Sequence, residues 1–152
     1  MTTLVERVRD AVATVDDPEY PGVSIADLGL VEGVTVDGEH ARIDLVPTFL
    51  GCPALAMIEA DVAAAVRAVE GIADAEVKFV TDPAWTPARI TPAGRDALRD
   101  HFTVAVATAA GEVRCPICGS TDVAEQSPFG PSPCRAIHRC ASCGEPVEVV
   151  RA

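Results

Sequence analysis

Two short cysteine motifs near the carboxyl end of the chain have the spacing of a metal site. Each is a C-x-x-C-G sequence, at 115–119 and 140–144. Two thiolates three positions apart at a turn face one cation, and the following glycine adopts the positive φ that points backbone N–H groups at sulfur. The spacing predicts a closed tetrahedral site, with structural zinc as its default occupant and a rubredoxin-like iron left open. The predicted ligands are Cys115, Cys118, Cys140 and Cys143.

Cys134 and His138 lie just before the second motif and offer a fifth thiol and an imidazole. Either side chain could replace one ligand, so we include both as auxiliary candidates. We favour the four motif cysteines, and we interpret His138 mainly as a surface residue or a neighbour of the ligands.

Cys52 lies apart from these cysteines, in the segment TFLGCPAL at 48–55. Pro53 suits the first position of a helix, which places Cys52 at or beside the N-cap. Unpaired backbone N–H groups and the helix dipole would then favour the thiolate, the form that acts as nucleophile or metal ligand. We therefore expect the pKa of Cys52 to lie below that of a free cysteine. The other interpretation is a small apolar side chain that fills a pocket at the helix start.

Hydrophobic periodicity and turn signals predict the elements that position these residues. A T-x-x-E capping box at Thr3 starts a helix, Asp37-Gly38 joins two strands as a hairpin, and Thr91-Pro92 starts a late helix. Trp85 could shield Cys52 or cover the end of the sheet, and we favour the second role. The predicted helices span 3–15, 53–69 and 91–100, a capped turn spans 24–29, and the strands span 30–36, 39–46 and 75–80.

An acidic loop at 16–22 follows the first helix, because two prolines and a glycine stop that helix there. Asp16, Asp17 and Glu19 could bind a cation or could simply cap and solvate a turn, and the second role is the commoner one.

The charge and the amino terminus limit the classes of function. A net charge of −11 over 152 residues argues against a general nucleic-acid or anionic-membrane surface. The first residues carry charges where a signal peptide has an apolar run, and no uncharged stretch reaches the ~18 residues of a membrane span. We expect a cytoplasmic protein, whose paired cysteines in a reducing compartment bind metal instead of forming disulfides.

The distribution of cysteines divides the chain. Five of the six lie between Cys115 and Cys143, so the tail is stabilised differently from the body. We predict a body at 1–101, a linker at 102–112 and a metal-binding ribbon at 113–152. The fold class is α+β, with a small sheet of about three strands and packed helices, followed by the small ribbon.

Several of these motifs together resemble one family. Residues 17–31 and 48–55 are similar to the signatures of the small iron–sulfur assembly domain of SufT-type proteins, and residues 127–146 resemble the zinc ribbon of the PaaD family. The resemblance implies that Cys52 is a cluster-transfer or reactive thiol. The other positions carried over from the motifs are Asp17, Pro18, Glu19, Thr48, Gly51 and Pro53.

The resemblance also implies a function. PaaD proteins are encoded with the multicomponent phenylacetyl-CoA epoxidase of aerobic phenylacetate degradation. The chain is therefore expected to be an accessory protein, not an enzyme, that assembles or inserts an iron–sulfur cluster into the epoxidase reductase. Structural zinc in the ribbon and a transient cluster or iron at Cys52 are the implied metals. The implied partners are the reductase and oxygenase components and the iron–sulfur assembly machinery, with homo-oligomers left open and no nucleic acid or membrane.

Two alternatives belong to other classes of function. The first is a non-catalytic structural subunit of the epoxidase that docks through its zinc ribbon. The second is a thiol enzyme with Cys52 as nucleophile, which has the least support because no histidine lies near Cys52 in the sequence.

Overall fold

The first helix begins at the capping box that the sequence predicts. The structure, a computed structural model, describes residues 1–108 and 110–151. Helix α1 spans Leu4–Val12, with the Glu6 N–H donating to the Thr3 hydroxyl at 3.2 Å and the Thr3 N–H donating to the Glu6 carboxylate at 2.7 Å. The helix ends earlier than predicted, because the Thr14 hydroxyl donates to the Ala11 carbonyl and the last turn tightens there.

The acidic segment that follows is an ordered turn between two short strands. Strand β1, Asp16–Asp17, pairs antiparallel with β2, Tyr20–Ser24. Its carboxylates accept backbone hydrogen bonds, from the Gly22 N–H to Asp16 at 2.9 Å and from the Glu19 N–H to Asp17 at 2.8 Å. The turn-capping interpretation of this loop therefore describes its geometry.

A three-stranded sheet forms the centre of the first part of the chain. Strands β3 (Val31–Asp37) and β4 (His40–Leu45) make the predicted antiparallel hairpin, and β5 (Asp74–Phe79) pairs parallel to β4. Helix α2, Ala54–Arg67, connects β4 to β5. The inward residues of β4 and α2 are buried and form the core: Ala41, Ile43, Leu45, Ile58, Val62 and Val66.

The second part of the chain contains one short 3-10 turn, one helix and a second sheet. The 3-10 turn spans Pro87–Arg89, and α3 spans Pro92–Phe102 with Thr91 as its N-cap. The sheet has the order β6-β9-β8-β7. Its strands are β6 (Val104–Ala105), β7 (Val123–Ser127), β8 (Arg135–Cys140) and β9 (Pro146–Val150).

The structure divides the chain at a different point from the sequence analysis. One compact unit is Met1–Trp85 and the other starts at Thr86, whereas the predicted body ended at 101. The predicted linker at 102–112 contains β6, which pairs parallel with β9 through Val104 and Ala105, both buried. An uncharged run rich in alanine, threonine and valine suits a short buried strand as well as a linker. Ala109, within the same predicted linker, lies outside the described residues.

The predicted fold class is confirmed: the residues that the structure describes form three α-helices, a small sheet packed against helices and a separate cysteine-bearing sheet. Within the described residues, no helix is both long enough and apolar enough to cross a membrane.

Candidate functional site

The four motif cysteines converge on one point in the second unit. Their sulfur atoms all lie within 4.8 Å of one another. The Sγ–Sγ distance is 3.8 Å between Cys115 and Cys143 and 3.5 Å between Cys118 and Cys140. A tetrahedral zinc with Zn–S bonds of about 2.3 Å requires sulfur atoms about 3.8 Å apart. The residues present therefore fit a four-coordinate thiolate-bound metal.

The two motifs have the same backbone conformation, which explains how their sequences create the site. Gly119 and Gly144 both have φ of 78°, and each donates its N–H at 2.9 Å to the carbonyl of the first cysteine of its motif. A side chain at either position would strain this left-handed backbone. The hydroxyls of Ser120 and Ser142 lie 2.8 Å apart and join one motif to the other.

One ligand of each motif is buried and the other is exposed. Cys115 and Cys140 belong to the apolar core of the second unit, whereas Cys118 and Cys143 face solvent. A metal bound by these four sulfur atoms would be built into the core and would contribute directly to the fold of the ribbon. The apolar neighbours in that cluster are Ala105, Val113, Val147 and Val149.

The four thiols do not ionise equally without a cation. The backbone N–H of Cys143 lowers the pKa of Cys140 to about 7. The backbone N–H of Glu145 favours the Cys143 thiolate, but desolvation and the neighbouring sulfurs raise the pKa of Cys143 to about 12. A bound divalent cation is what allows all four sulfurs to be thiolates together.

Cys134 and His138 lie outside this group of sulfur atoms. The Cys134 sulfur lies 3.2 Å from the Ser132 hydroxyl, and its carbonyl accepts the Arg151 N–H at 2.8 Å. His138 lies on β8, two residues before Cys140, and its Nδ1 is buried without a hydrogen-bond partner. The structure therefore assembles the four-cysteine set without either auxiliary candidate.

Cys52 lies in a tight turn directly before helix α2. Its N–H donates to the Phe49 carbonyl at 3.2 Å, and its carbonyl accepts the Leu55 N–H at 3.2 Å. Pro53 is the N-cap, not the first helical residue as predicted, and no side chain caps this helix. The predicted place of Cys52 beside the N-cap agrees with the structure.

The expectation of a lowered pKa at Cys52 is wrong. Burial raises the pKa of this thiol, the backbone N–H of Ala54 opposes that rise, and the carboxylates of Glu19 and Asp17 add to it. The helix N-terminus does act in the predicted direction, but it supplies one N–H against partial burial and two negative charges. Cys52 therefore holds its proton more firmly than a free cysteine.

The other residues carried over from the motifs lie near Cys52 but form no ready-made metal site. Asp17 is buried and Glu19 partly buried, and the fields of both reach the sulfur. Thr48 is partly buried in the loop, and a Cβ on Gly51 would come within 3.0 Å of the Phe49 ring. Within the described part of the chain, the four motif cysteines are the group whose ligand atoms lie close enough for one metal ion.

Sequence reasoning missed the apolar surroundings of Cys52. Phe49 and Leu50 are exposed and line a cavity of about 300 Å³ together with Trp85. The indole N–H of Trp85 donates to the Leu28 carbonyl at 2.8 Å, which fixes the position of the ring that lines this cavity. Two large apolar residues in a loop, beside Cys52, were the available signal.

The α+β unit carries a cysteine beside a helix start, and the ribbon that follows carries four cysteines suited to one metal ion. Residues 5–79 match the family model described as iron–sulfur cluster assembly protein, and residues 99–151 match the PaaD zinc beta ribbon domain. The chain belongs to the PaaD family. The predicted resemblance is confirmed.

Individual relatives agree with this assignment. The chain is 35% identical to a putative 1,2-phenylacetyl-CoA epoxidase subunit of Escherichia coli, over 95% of this chain and 90% of that protein. It is 37% identical to the iron–sulfur protein maturation auxiliary factor YitW of Bacillus subtilis, over 55% of this chain and 81% of that protein. A crystal structure of a DUF59 domain from Bacillus anthracis matches with a TM-score of 0.61 and 32% identity, over 64% of this chain and 93% of that chain.

Proposed function

We propose that this chain is an accessory protein that assembles or inserts an iron–sulfur cluster into the reductase component of a phenylacetyl-CoA epoxidase. The observation that carries the proposal is the union, in one chain, of an iron–sulfur assembly domain with a PaaD zinc ribbon. One relative is named as a subunit of that epoxidase and another as an iron–sulfur maturation factor. An accessory role joins the two descriptions without requiring a catalysed metabolic step.

In this proposal Cys52 is a transient ligand for iron or a cluster, which is cargo and not a resident cofactor. The raised pKa suits that role. A thiol that tends to stay protonated binds iron or a cluster less firmly than a thiolate does, which favours release of the cargo. The carboxylates of Asp17 and Glu19 disfavour the thiolate and, by the same field, attract a cation. Gly51 lets the turn before Cys52 pass close to the Phe49 ring, where a Cβ would come within 3.0 Å.

The ribbon has a structural role in this proposal. Four thiolates close the coordination sphere of zinc, which leaves no position for chemistry and supplies folding energy to a small unit. Its metal is therefore separate from the cargo at Cys52. The proposed partners are the reductase, the oxygenase and the iron–sulfur assembly machinery.

A second candidate function is that of a non-catalytic structural subunit that docks through the ribbon. The observation that favours it is the exposure of two large apolar side chains, Ile117 and Phe129, in the second unit. Exposed apolar groups of this size are common at protein interfaces. This candidate requires the chain to stay with the working epoxidase.

Turnover separates the two candidates. Purified epoxidase whose reductase already holds its full cluster should oxidise phenylacetyl-CoA equally fast with and without this chain. A strain that lacks the chain should not grow on phenylacetate, and Cys52→Ala should reproduce that defect while Cys134→Ser does not. A stoichiometric requirement for the chain in turnover would instead support the structural subunit.

A further inference from the structure

The exposed apolar side chains of the first unit gather around Cys52. Apart from Met1, the large apolar residues exposed in the described part of this unit are Phe49, Leu50 and Met57, at 42%, 70% and 56% exposure. We call these three residues the apolar rim. All of them lie within five positions of Cys52, and exposed apolar surface concentrated beside a functional residue marks a contact surface.

The cavity lined by Phe49 and Leu50 of the rim has the size and lining of a pocket for a side chain. It encloses about 300 Å³ between the 46–50 segment and Thr81, Ala84 and Trp85, with hydroxyls of threonine as its polar side-chain groups. This volume is at the lower limit for small-molecule sites, and no charged side chain lines it to orient a charged ligand. An apolar side chain presented by another protein suits it better than a cofactor.

The charge next to the rim decides what kind of protein surface fits. A second cavity, of about 380 Å³, is lined by Met57 of the rim together with Asp16, Asp17 and Asp61, and no lysine or arginine lines either cavity. The residues 1–85 contain sixteen acidic and five basic side chains. A complementary partner therefore carries lysine or arginine beside its apolar side chain.

The same charge argues against a second copy of this chain as the occupant. Two copies that meet at this surface would bring together the Asp16, Asp17 and Asp61 carboxylates of both, and like charges at a contact weaken it.

From these observations we propose that the apolar rim and its acidic border form a docking site for a basic protein segment that inserts one apolar side chain into the Trp85 cavity. The proposal rests on the proposed function in one respect: the segment belongs to the protein that receives the cluster. Docking there brings the acceptor to the loop that carries Cys52, since the Phe49 carbonyl accepts the Cys52 N–H.

Trp85 is the sole tryptophan of the chain and lines the cavity, so its fluorescence reports occupancy directly. The probe is an acetylated, amidated peptide with a leucine–phenylalanine pair between lysines, titrated into the intact zinc-loaded chain. Its twin, with glutamates in place of lysines, tests the charge. We expect a saturable change in Trp85 emission with the lysine peptide, weakened by salt, and at least about tenfold weaker binding of the glutamate twin.

Variants separate this site from other surfaces and from the cluster chemistry. Leu50→Ser should weaken the lysine peptide about tenfold, because it removes apolar contact area without disturbing the buried core. Ile117→Ser, at an exposed apolar residue of the other unit (55% against 70% for Leu50), is the control and should bind as wild type. Cys52→Ala should also bind the lysine peptide as tightly as wild type. The docking result therefore does not depend on the proposed cluster role of Cys52.

Three outcomes would overturn the docking site. They are equal binding of the two peptides, an equal loss for Leu50→Ser and Ile117→Ser, and the lack of a saturable change in Trp85 emission with the lysine peptide. None of these outcomes bears on the proposed cluster function, which the growth and turnover experiments test separately.

Discussion

At the scale of single residues, the pKa of Cys52 depends on opposing effects from its own turn and from residues far away in the sequence. The helix start supplies a backbone N–H from Ala54 that favours the thiolate. Burial opposes it most strongly, and so do the carboxylates of Glu19, in the turn between β1 and β2, and of Asp17, at the end of β1. The sequence around Cys52 contains the first effect but not the others, because the carboxylates lie more than thirty positions earlier.

The first prediction concerns the pH dependence of Cys52 alkylation in a zinc-loaded Cys134→Ser background. The midpoint should lie above that of a free cysteine, since the folded pKa is raised and the thiol stays protonated at neutral pH. Asp17→Asn should lower the midpoint and speed alkylation near pH 7, because one negative charge is lost while the side-chain oxygen can still accept the Glu19 N–H.

Glu125→Gln on β7 is the control for that substitution, since Glu125 lies in the other unit, on the edge strand of its sheet. It should leave the Cys52 midpoint unchanged. A wild-type midpoint below that of a free cysteine would show that the N-terminal field dominates after all.

At the scale of elements, local signals predicted the structure well where the interacting groups are close in sequence. The capping box at Thr3 and the turn at Asp37-Gly38 are complete within a few residues, and both appear as predicted. Strand β6 could not be predicted in this way, because its partner strand β9 lies more than forty positions later and parallel pairing leaves no local turn signal. The same distance explains why the predicted division of the chain, at 101, differs from the division before Thr86 in the structure.

The second prediction tests whether β6 is part of the ribbon fold. Val104 is fully buried on this strand, so Val104→Ala should lower the stability of the second unit by about 2 kcal/mol through lost burial and the cavity left behind. Hydrogen exchange of the β9 amides measures this change. Val106→Ala, a partly buried neighbour outside the strand, is the control and should cost less than half as much. Equal, negligible effects of both would restore the linker interpretation.

The third prediction concerns the metal site that the two motif turns create. Cys140→Ser should abolish tight metal binding and unfold the ribbon, since it removes a buried ligand from a site that is part of the core. Cys134→Ser should keep one metal per chain, because its sulfur lies outside the group. Elemental analysis measures the metal, and a folded ribbon without metal would contradict this account of its stability.

At the scale of the whole molecule, the net negative charge and the four-cysteine group lie in different units. Residues 1–85 hold the entire net charge of −11, and from Thr86 onward acidic and basic residues balance at seven each. An acidic surface of this size attracts cationic partners and cargo over distances of about 8–10 Å at ordinary salt. The C-x-x-C-G spacing predicted which four cysteines converge, because each motif places its two sulfur atoms within a few residues of sequence.

The measurement that tests the central claim most directly is the iron and sulfide content of the epoxidase reductase, purified without air from strains with and without this chain. The account predicts normal amounts of reductase polypeptide in both strains but a missing cluster in the deletion strain. Wild-type chain and Cys134→Ser should restore the cluster, whereas Cys52→Ala should not. A reductase with its full cluster from the deletion strain would contradict the claim that this protein supplies it.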